Sequence, residues 1–91
     1  MYTLGYYECV LTEHIPDLPK TMRLRIQKAI ENRLTIDPVG YGKPLQYSMK
    51  GCRRLCEGDY RVVYRLIEEH SQVMIVGIGH RKDIYDMINS D

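Results

Sequence analysis

Arg54, Arg61 and Arg65 lie either side of a Gly58-Asp59 pair in the run Gly51-Cys52-Arg53-Arg54-Leu55-Cys56-Glu57-Gly58-Asp59-Tyr60-Arg61-Val62-Val63-Tyr64-Arg65. Guanidinium groups grip phosphate oxygens two at a time and keep their charge near neutral pH, so three on one surface could hold and neutralise a phosphate ester. The same spacing also describes a solvated arginine face with no ligand, and the residues alone leave both readings open. A second group stands nearer the C-terminus, where His80-Arg81-Lys82 precedes Tyr85. Imidazole titrates near neutrality and a phenol can position or exchange a proton, as acid–base work on a phosphate ester requires. His80 reads equally well as a satisfied strand-end residue, and Tyr85 as a residue packed on a sheet.

Whether the three arginines meet depends on strand pairing. Two runs of period two join at Gly58-Asp59, and a glycine at the first central position of a two-residue loop suits a type II′ hairpin turn. That loop sets Glu57 opposite Tyr60, Cys56 opposite Arg61, Leu55 opposite Val62, Arg54 opposite Val63, Arg53 opposite Tyr64 and Cys52 opposite Arg65. Alternation then places Leu55, Tyr60, Val62, Tyr64 and Leu66 on one face, and Arg54, Arg61 and Arg65 on the other.

The remaining elements must hold this hairpin. Tyr6 to Leu11 is rich in aromatic and branched residues and predicts a first strand. His14 to Pro19 carries two prolines and leaves room for one helical turn, with His14 at the surface. From about Lys20 to Leu34, Met22, Ile26, Ala29, Ile30 and Leu34 recur at three- and four-residue spacing, which predicts the main helix, ended by Asp37-Pro38. Val39 to Leu45 reads as a Gly/Pro loop. After the hairpin, Glu68 to Ser71 forms a polar turn. Gln72 to Ile78 holds the continuous apolar run Val73-Met74-Ile75-Val76, expected of a central strand covered on both faces. Ile84, Met87 and Ile88 predict a short final helix that sets Arg81 and Tyr85 four apart.

Ninety-one residues make one domain with one modest core, built without Trp or Phe from aliphatic residues and eight tyrosines. Three cysteines, Cys9, Cys52 and Cys56, offer no paired-ligand spacing, so free thiols and no metal site are expected. The N-terminus has no basic region followed by an apolar run and no stretch reaches transmembrane length, which points to a soluble cytoplasmic protein. The formal charge is only +1, yet Lys50 to Arg65 holds five basic residues against two acidic ones.

The helix ending in Asp37-Pro38, the Gly42-Lys43-Pro44-Leu45 segment, the Gly58-Asp59-Tyr60-Arg61-Val62-Val63-Tyr64 block and the Gly79-His80-Arg81-Lys82-Asp83-Ile84-Tyr85 end together resemble the RelE/ParE superfamily of toxins, in its RelE-like ribonuclease branch. The resemblance covers nearly the whole chain. It implies a small α+β domain with an N-terminal strand, a helical pair, a mostly antiparallel four-stranded sheet and a short C-terminal helix. It also implies a toxin of a type II toxin-antitoxin pair that cuts mRNA on the ribosome, without metal or small-molecule cofactor, and that binds a cognate antitoxin. Arg54, Arg61, Arg81 and Tyr85 match the family's catalytic positions, with His80 beside them. Lys50, Arg53, Arg65 and Lys82 are the accompanying RNA-binding residues. Two further readings are a ParE-like inhibitor of DNA gyrase and a catalytically silent relative that only binds an antitoxin.

Overall fold

The computed structural model describes residues 1–45 and 51–89, so Lys50 lies outside the described residues. Its strands are β1 (Thr3–Tyr6), β2 (Lys43–Pro44), β3 (Cys52–Glu57), β4 (Tyr60–Ile67) and β5 (Gln72–His80). They form one sheet in the order β1-β5-β4-β3-β2, in which β1 runs parallel to β5 and the other pairs are antiparallel. The helices are α1 (Lys20–Ala29), continued by wider turns over Ile30–Leu34, then α2 (Pro38–Tyr41) and α3 (Ile84–Asn89).

The β3–β4 register is the one the turn predicts, with all six pairs from Cys52–Arg65 to Glu57–Tyr60. Gly58 has φ +59° whereas Asp59 is not in the positive-φ region, as a type II′ turn requires. Leu55, Val62 and Tyr64 therefore point at the helices and join Ile26, Ala29, Ile30 and Leu34 in the main core. Each such aliphatic side chain, fully buried, is worth roughly 1.5–3 kcal/mol.

β5 carries the continuous apolar run because both its faces are covered. A register shift pairs Val63 with Gly77 but Tyr64 with Ile75, leaving Val76 as the extra residue of a bulge. The bulge is why Ile75 and Ile78, three apart, both reach the helical core. Val76 turns the other way, into a second cluster with Val63 and Ile84 under α3. A side-chain carbon on Gly77 would lie 2.8 Å from Ile88 Cδ1, so a larger residue there would have to push the Ile88 side chain of α3 aside.

Three expectations change. The first strand lies earlier, at Thr3–Tyr6, and Cys9 to Leu11 belongs to a helical turn, closed by an Ile15 N–H bond to Val10 O at 2.9 Å. Val10 is fully buried there, so the branched residues that suggested a strand serve the core through a helix. His14 is buried rather than at the surface. Its Nδ1 accepts the Ile78 N–H at 3.2 Å and satisfies a donor of β5 beyond the point where β1 stops. The Gly/Pro loop contains α2, whose N-terminus is capped by Asp37 Oδ1 accepting from Gly40 N–H at 2.9 Å, and β2, which adds a fifth strand.

Tyr64 is fully buried and its hydroxyl donates to the Pro38 carbonyl, tying β4 to the start of α2. Burial pushes the Tyr64 phenol up, as it does the Tyr6 phenol and the Cys52 thiol. The folded chain thus holds these protons more tightly than the unfolded chain, and the stability so gained is present below the ordinary thiol and phenol range and lost as pH rises through it. Unfolding free energy from urea titrations should accordingly decline above about pH 9, the region where unfolded thiols and phenols ionise. Tyr64→Phe should cost about 1–3 kcal/mol at neutral pH by stranding the Pro38 carbonyl, and should make the alkaline decline shallower. An equally steep decline in the variant would remove Tyr64 from the linkage.

Candidate active site

β3 and β4 present Arg54 and Arg61 on the face away from α1. Arg54 stands opposite Val63 and Arg61 opposite Cys56, which makes the two arginines diagonal neighbours, about 7–8 Å apart along the backbone. Val63, between Arg61 and Arg65 on that face, is completely buried beneath α3, so the helix covers the centre of the sheet while Arg54 stands beside it.

α3 also delivers Tyr85. The Tyr85 phenol lies beside the Arg54 guanidinium and, as the largest influence on it, raises the Arg54 pKa, with burial acting in the opposite sense. Neither Arg54 Nε nor the Tyr85 hydroxyl, both buried, has a well-formed hydrogen bond among the described residues. The phenol helps to fix the guanidinium in place, and a fixed guanidinium fork suits an anionic group.

Arg61 and Arg81 converge on the tip of the hairpin. Arg61 Nη1 donates to the carbonyls of Gly58 at 2.9 Å and Tyr60 at 3.0 Å. The Arg81 backbone N–H donates to Asp59 O at 2.8 Å, and its Nε lies 3.6 Å from Asp59 Oδ1 in an exposed ion pair. These contacts are weak enough to exchange for a phosphate, since an exposed pair is worth about 1 kcal/mol or less.

Other expected residues sit elsewhere. His80 pairs with Tyr60, which shares the helical face with Leu55 and Val62, and its ring meets Tyr60 edge-on at 5.4 Å. Its Nδ1 accepts the Lys82 N–H at 3.1 Å, so it stabilises the turn after β5 on the side of the sheet away from Arg54 and Arg61. Arg53 also faces the helices, opposite Tyr64, and its Nη2 donates to Val39 O at 2.8 Å and Gly42 O at 2.9 Å. Strand parity removes Arg53 from the arginine face and commits it to holding α2. Arg65 is exposed on that face at the far end of the hairpin, opposite Cys52, and Lys82 is exposed in the turn. No feature of sequence spacing marked the Arg54–Tyr85 contact, because it joins a strand to a helix thirty-one positions later.

Among the described residues no cluster of three or more His, Cys, Asp or Glu could hold a metal ion, and no helix is long and apolar enough to cross a membrane. The three cysteines are unpaired. The arrangement suits electrostatic handling of a phosphate: three guanidiniums in reach of the hairpin and one phenol beside them.

Comparison with known proteins identifies the family. Residues 10–85 match a family model described as the ParE toxin of the type II toxin-antitoxin system parDE. Toxin RelE of Mycobacterium tuberculosis is 33% identical over 70 residues, which cover 77% of this chain and 72% of that toxin. Toxin RelG of the same organism is 40% identical over 52 residues, 57% of this chain and 60% of RelG, so less than two thirds of RelG is spanned. The toxin-antitoxin complex RelBE2 from M. tuberculosis contains a chain that superposes with a TM-score of 0.82 at 28% identity, covering 88% of this chain and 98% of that one. The isolated E. coli RelE toxin shares the fold alone, with a TM-score of 0.72 at 24% identity over 88% of this chain and 84% of that one. With a family model spanning most of its length and RelE as a relative over three quarters of it, the chain belongs to the RelE/ParE superfamily and is a RelE-family toxin of a type II toxin-antitoxin system.

Proposed function

We propose that this toxin is a ribosome-dependent mRNA endonuclease of the cytoplasm. The observation that carries the reading is the contact between the Arg54 guanidinium and the Tyr85 phenol, with Arg54 on the same face as Arg61. In the reaction the 2′-hydroxyl oxygen attacks the adjacent phosphorus and the bond to the 5′-oxygen breaks. The products are a 2′,3′-cyclic phosphate and a 5′-hydroxyl. One proton leaves the 2′-oxygen and one joins the departing 5′-oxygen. Arg54, Arg61 and Arg81 stay protonated throughout, so their task is to hold the phosphate and neutralise the charge that builds on it. Tyr85, against Arg54, positions or exchanges the proton. His80 enters as a positioning residue for the turn that carries Arg81. Arg65 and Lys82 are outlying RNA contacts.

The partner is a cognate antitoxin, a reading supported by the RelBE2 likeness, since that structure is a toxin-antitoxin complex. An acidic segment laid over the arginine face would neutralise it. A second reading, gyrase inhibition, is favoured by one observation, the match to the ParE toxin model. It gives no task to Arg54, Arg61 and Tyr85 as a group, so cleavage is the better account. Mapping RNA 5′ ends in a translation extract with and without the toxin tests it: new 5′-hydroxyl ends within reading frames are expected, and their absence alongside inhibited gyrase would select the second reading.

Arg61→Ala should raise the barrier to cleavage by about 2–4 kcal/mol, the scale of losing one preorganised donor, and Arg65→Ala should do much less. Circular dichroism should show both variants folded, because Arg61 is tied only to exchangeable carbonyls at the hairpin tip. A normal single-turnover rate for Arg61→Ala would remove it from the site.

Proton handling separates Tyr85 from His80. Tyr85→Phe should slow single-turnover cleavage about a hundredfold or more while His80→Gln, on the far face, keeps the wild-type pH profile. A profile that loses its acidic limb in His80→Gln would reverse the assignment.

A further inference from the structure

The segment Lys20 to Leu34 holds five basic residues and one acidic residue, in a chain whose net charge is only +1. Arg23 turns away, its Nη2 donating to Pro16 O at 3.1 Å and Leu18 O at 3.4 Å. Arg25, Lys28 and Arg33, with Asn32, instead line a shallow groove beside the end of β3. Glu57 organises them. Its Oε1 accepts from Arg25 at 3.0 Å and its Oε2 from Arg33 at 3.3 Å, with the Arg25 and Arg33 side chains 57% and 43% exposed and that of Glu57 only 15%. One carboxylate between two guanidiniums orients both and leaves the group cationic with Lys28 added. A fixed guanidinium fork gives up less freedom when it binds an anion than a wandering one.

This groove is joined to the arginine face at a single point, the hairpin tip. Arg61 reaches Gly58 O from one side of the sheet. From the other side Arg25 Nη2 comes within 3.9 Å of where a side-chain carbon on Gly58 would be. β2 pairs with Arg53 and Arg54, so past Arg54 no further strand among the described residues screens this edge of β3.

The geometry points to a substrate track: the RNA strand flanking the scissile phosphate crosses the hairpin tip at Gly58 and lays its next phosphates on Arg25 and Lys28, with Arg33 behind them. The inference rests on the RNA-cleaving reading above and adds to it a binding surface on the opposite side of the sheet. An RNA strand is the occupant favoured over an acidic peptide because the cationic groups follow one another from Arg61 through Arg25 to Lys28, as successive phosphates do, and because that run ends at the groups proposed to cut RNA.

The test measures equilibrium binding, by fluorescence anisotropy, of 2′-O-methyl oligoribonucleotides of 4 and 10 nucleotides to the toxin, to Arg25→Gln/Lys28→Gln and to Arg61→Ala. The methyl groups block attack, so binding is read without cleavage. The wild type should bind the longer strand more tightly. Arg25→Gln/Lys28→Gln should lose about tenfold in affinity for the 10-mer and little for the 4-mer, and its slope of log affinity against log salt should fall by about 1.4, two single-strand phosphate contacts at about 0.7 each. Arg61→Ala should weaken both strands. Lys28→Gln alone, at an exposed position with no partner among the described ion pairs, guards against misfolding and should show about half the change in slope. An unchanged slope and affinity in the double variant, with Arg61→Ala still weakened, would overturn the track and leave the cleavage reading standing. Wild-type protein that binds neither strand would likewise overturn the track, and the ribosome-dependent cleavage reading would then be decided by the 5′-end map alone. A double variant that binds RNA normally but loses affinity for an acidic antitoxin peptide would give the groove to the peptide instead.

Discussion

A two-residue turn decides which side of this sheet is chemistry and which is core. Strand faces alternate with a period of two, so a slip of one residue between β3 and β4 would send Arg54 and Arg61 into the helical core and expose Leu55 and Val62. Burying two unpaired guanidiniums in that core would cost several kcal/mol each, far more than the fold has to spare. Gly58, at φ +59°, admits the tight turn that prevents this. The arginine face is therefore a consequence of core packing on its reverse side, and the site inherits its rigidity from Leu55, Val62 and Tyr64.

The sheet's other side is arranged by polar groups that stand in for missing strands. β1 covers β5 only as far as Tyr6, and beyond it His14 lends a ring nitrogen to the Ile78 N–H. β2 is two residues long, and Arg53 holds the neighbouring chain by donating to Val39 and Gly42 carbonyls. Tyr64 does the same from within the core through the Pro38 carbonyl. In each case a buried or half-buried side chain meets a backbone group that would otherwise be unpaired, which is the condition for irregular chain to pack tightly against a sheet.

These substitutes explain what the sequence could and could not reveal. Hairpin register, the span of the main helix and the double burial of β5 follow from periods and turn chemistry, which are local properties. The burial of His14 is not legible because the group it binds is remote in sequence: Ile78 is sixty-four residues from His14, and spacing carries no trace of that bond. The first strand was placed too late for a related reason, since branched residues such as Val10 suit any buried surface and their β preference yields to whichever element the core needs. At the site, Arg54 and Arg61 were legible because two-residue alternation puts them on one face. The meeting of Arg54 with Tyr85 depends on the landing of α3 on β5 at Gly77, next to the bulge.

Net charge is a poor guide to a chain built in this way. At +1 overall the sequence looks indifferent to polyanions, yet folding gathers Arg54, Arg61 and Arg81 around one hairpin and Arg25, Lys28 and Arg33 behind it. The acidic residues of the hairpin are the ones that hold these arginines in place: Glu57 orients Arg25 and Arg33, and Asp59 faces Arg81. An acidic side chain 3.0–3.6 Å from a guanidinium lowers the field at long range and sharpens it close by, because it fixes where the donors point. Such a surface attracts a distant polyanion weakly and rewards one that arrives with phosphates at the right spacing. For the proposed cleavage, in which the cations act on one phosphate among many, selectivity of that kind is more useful than raw positive charge.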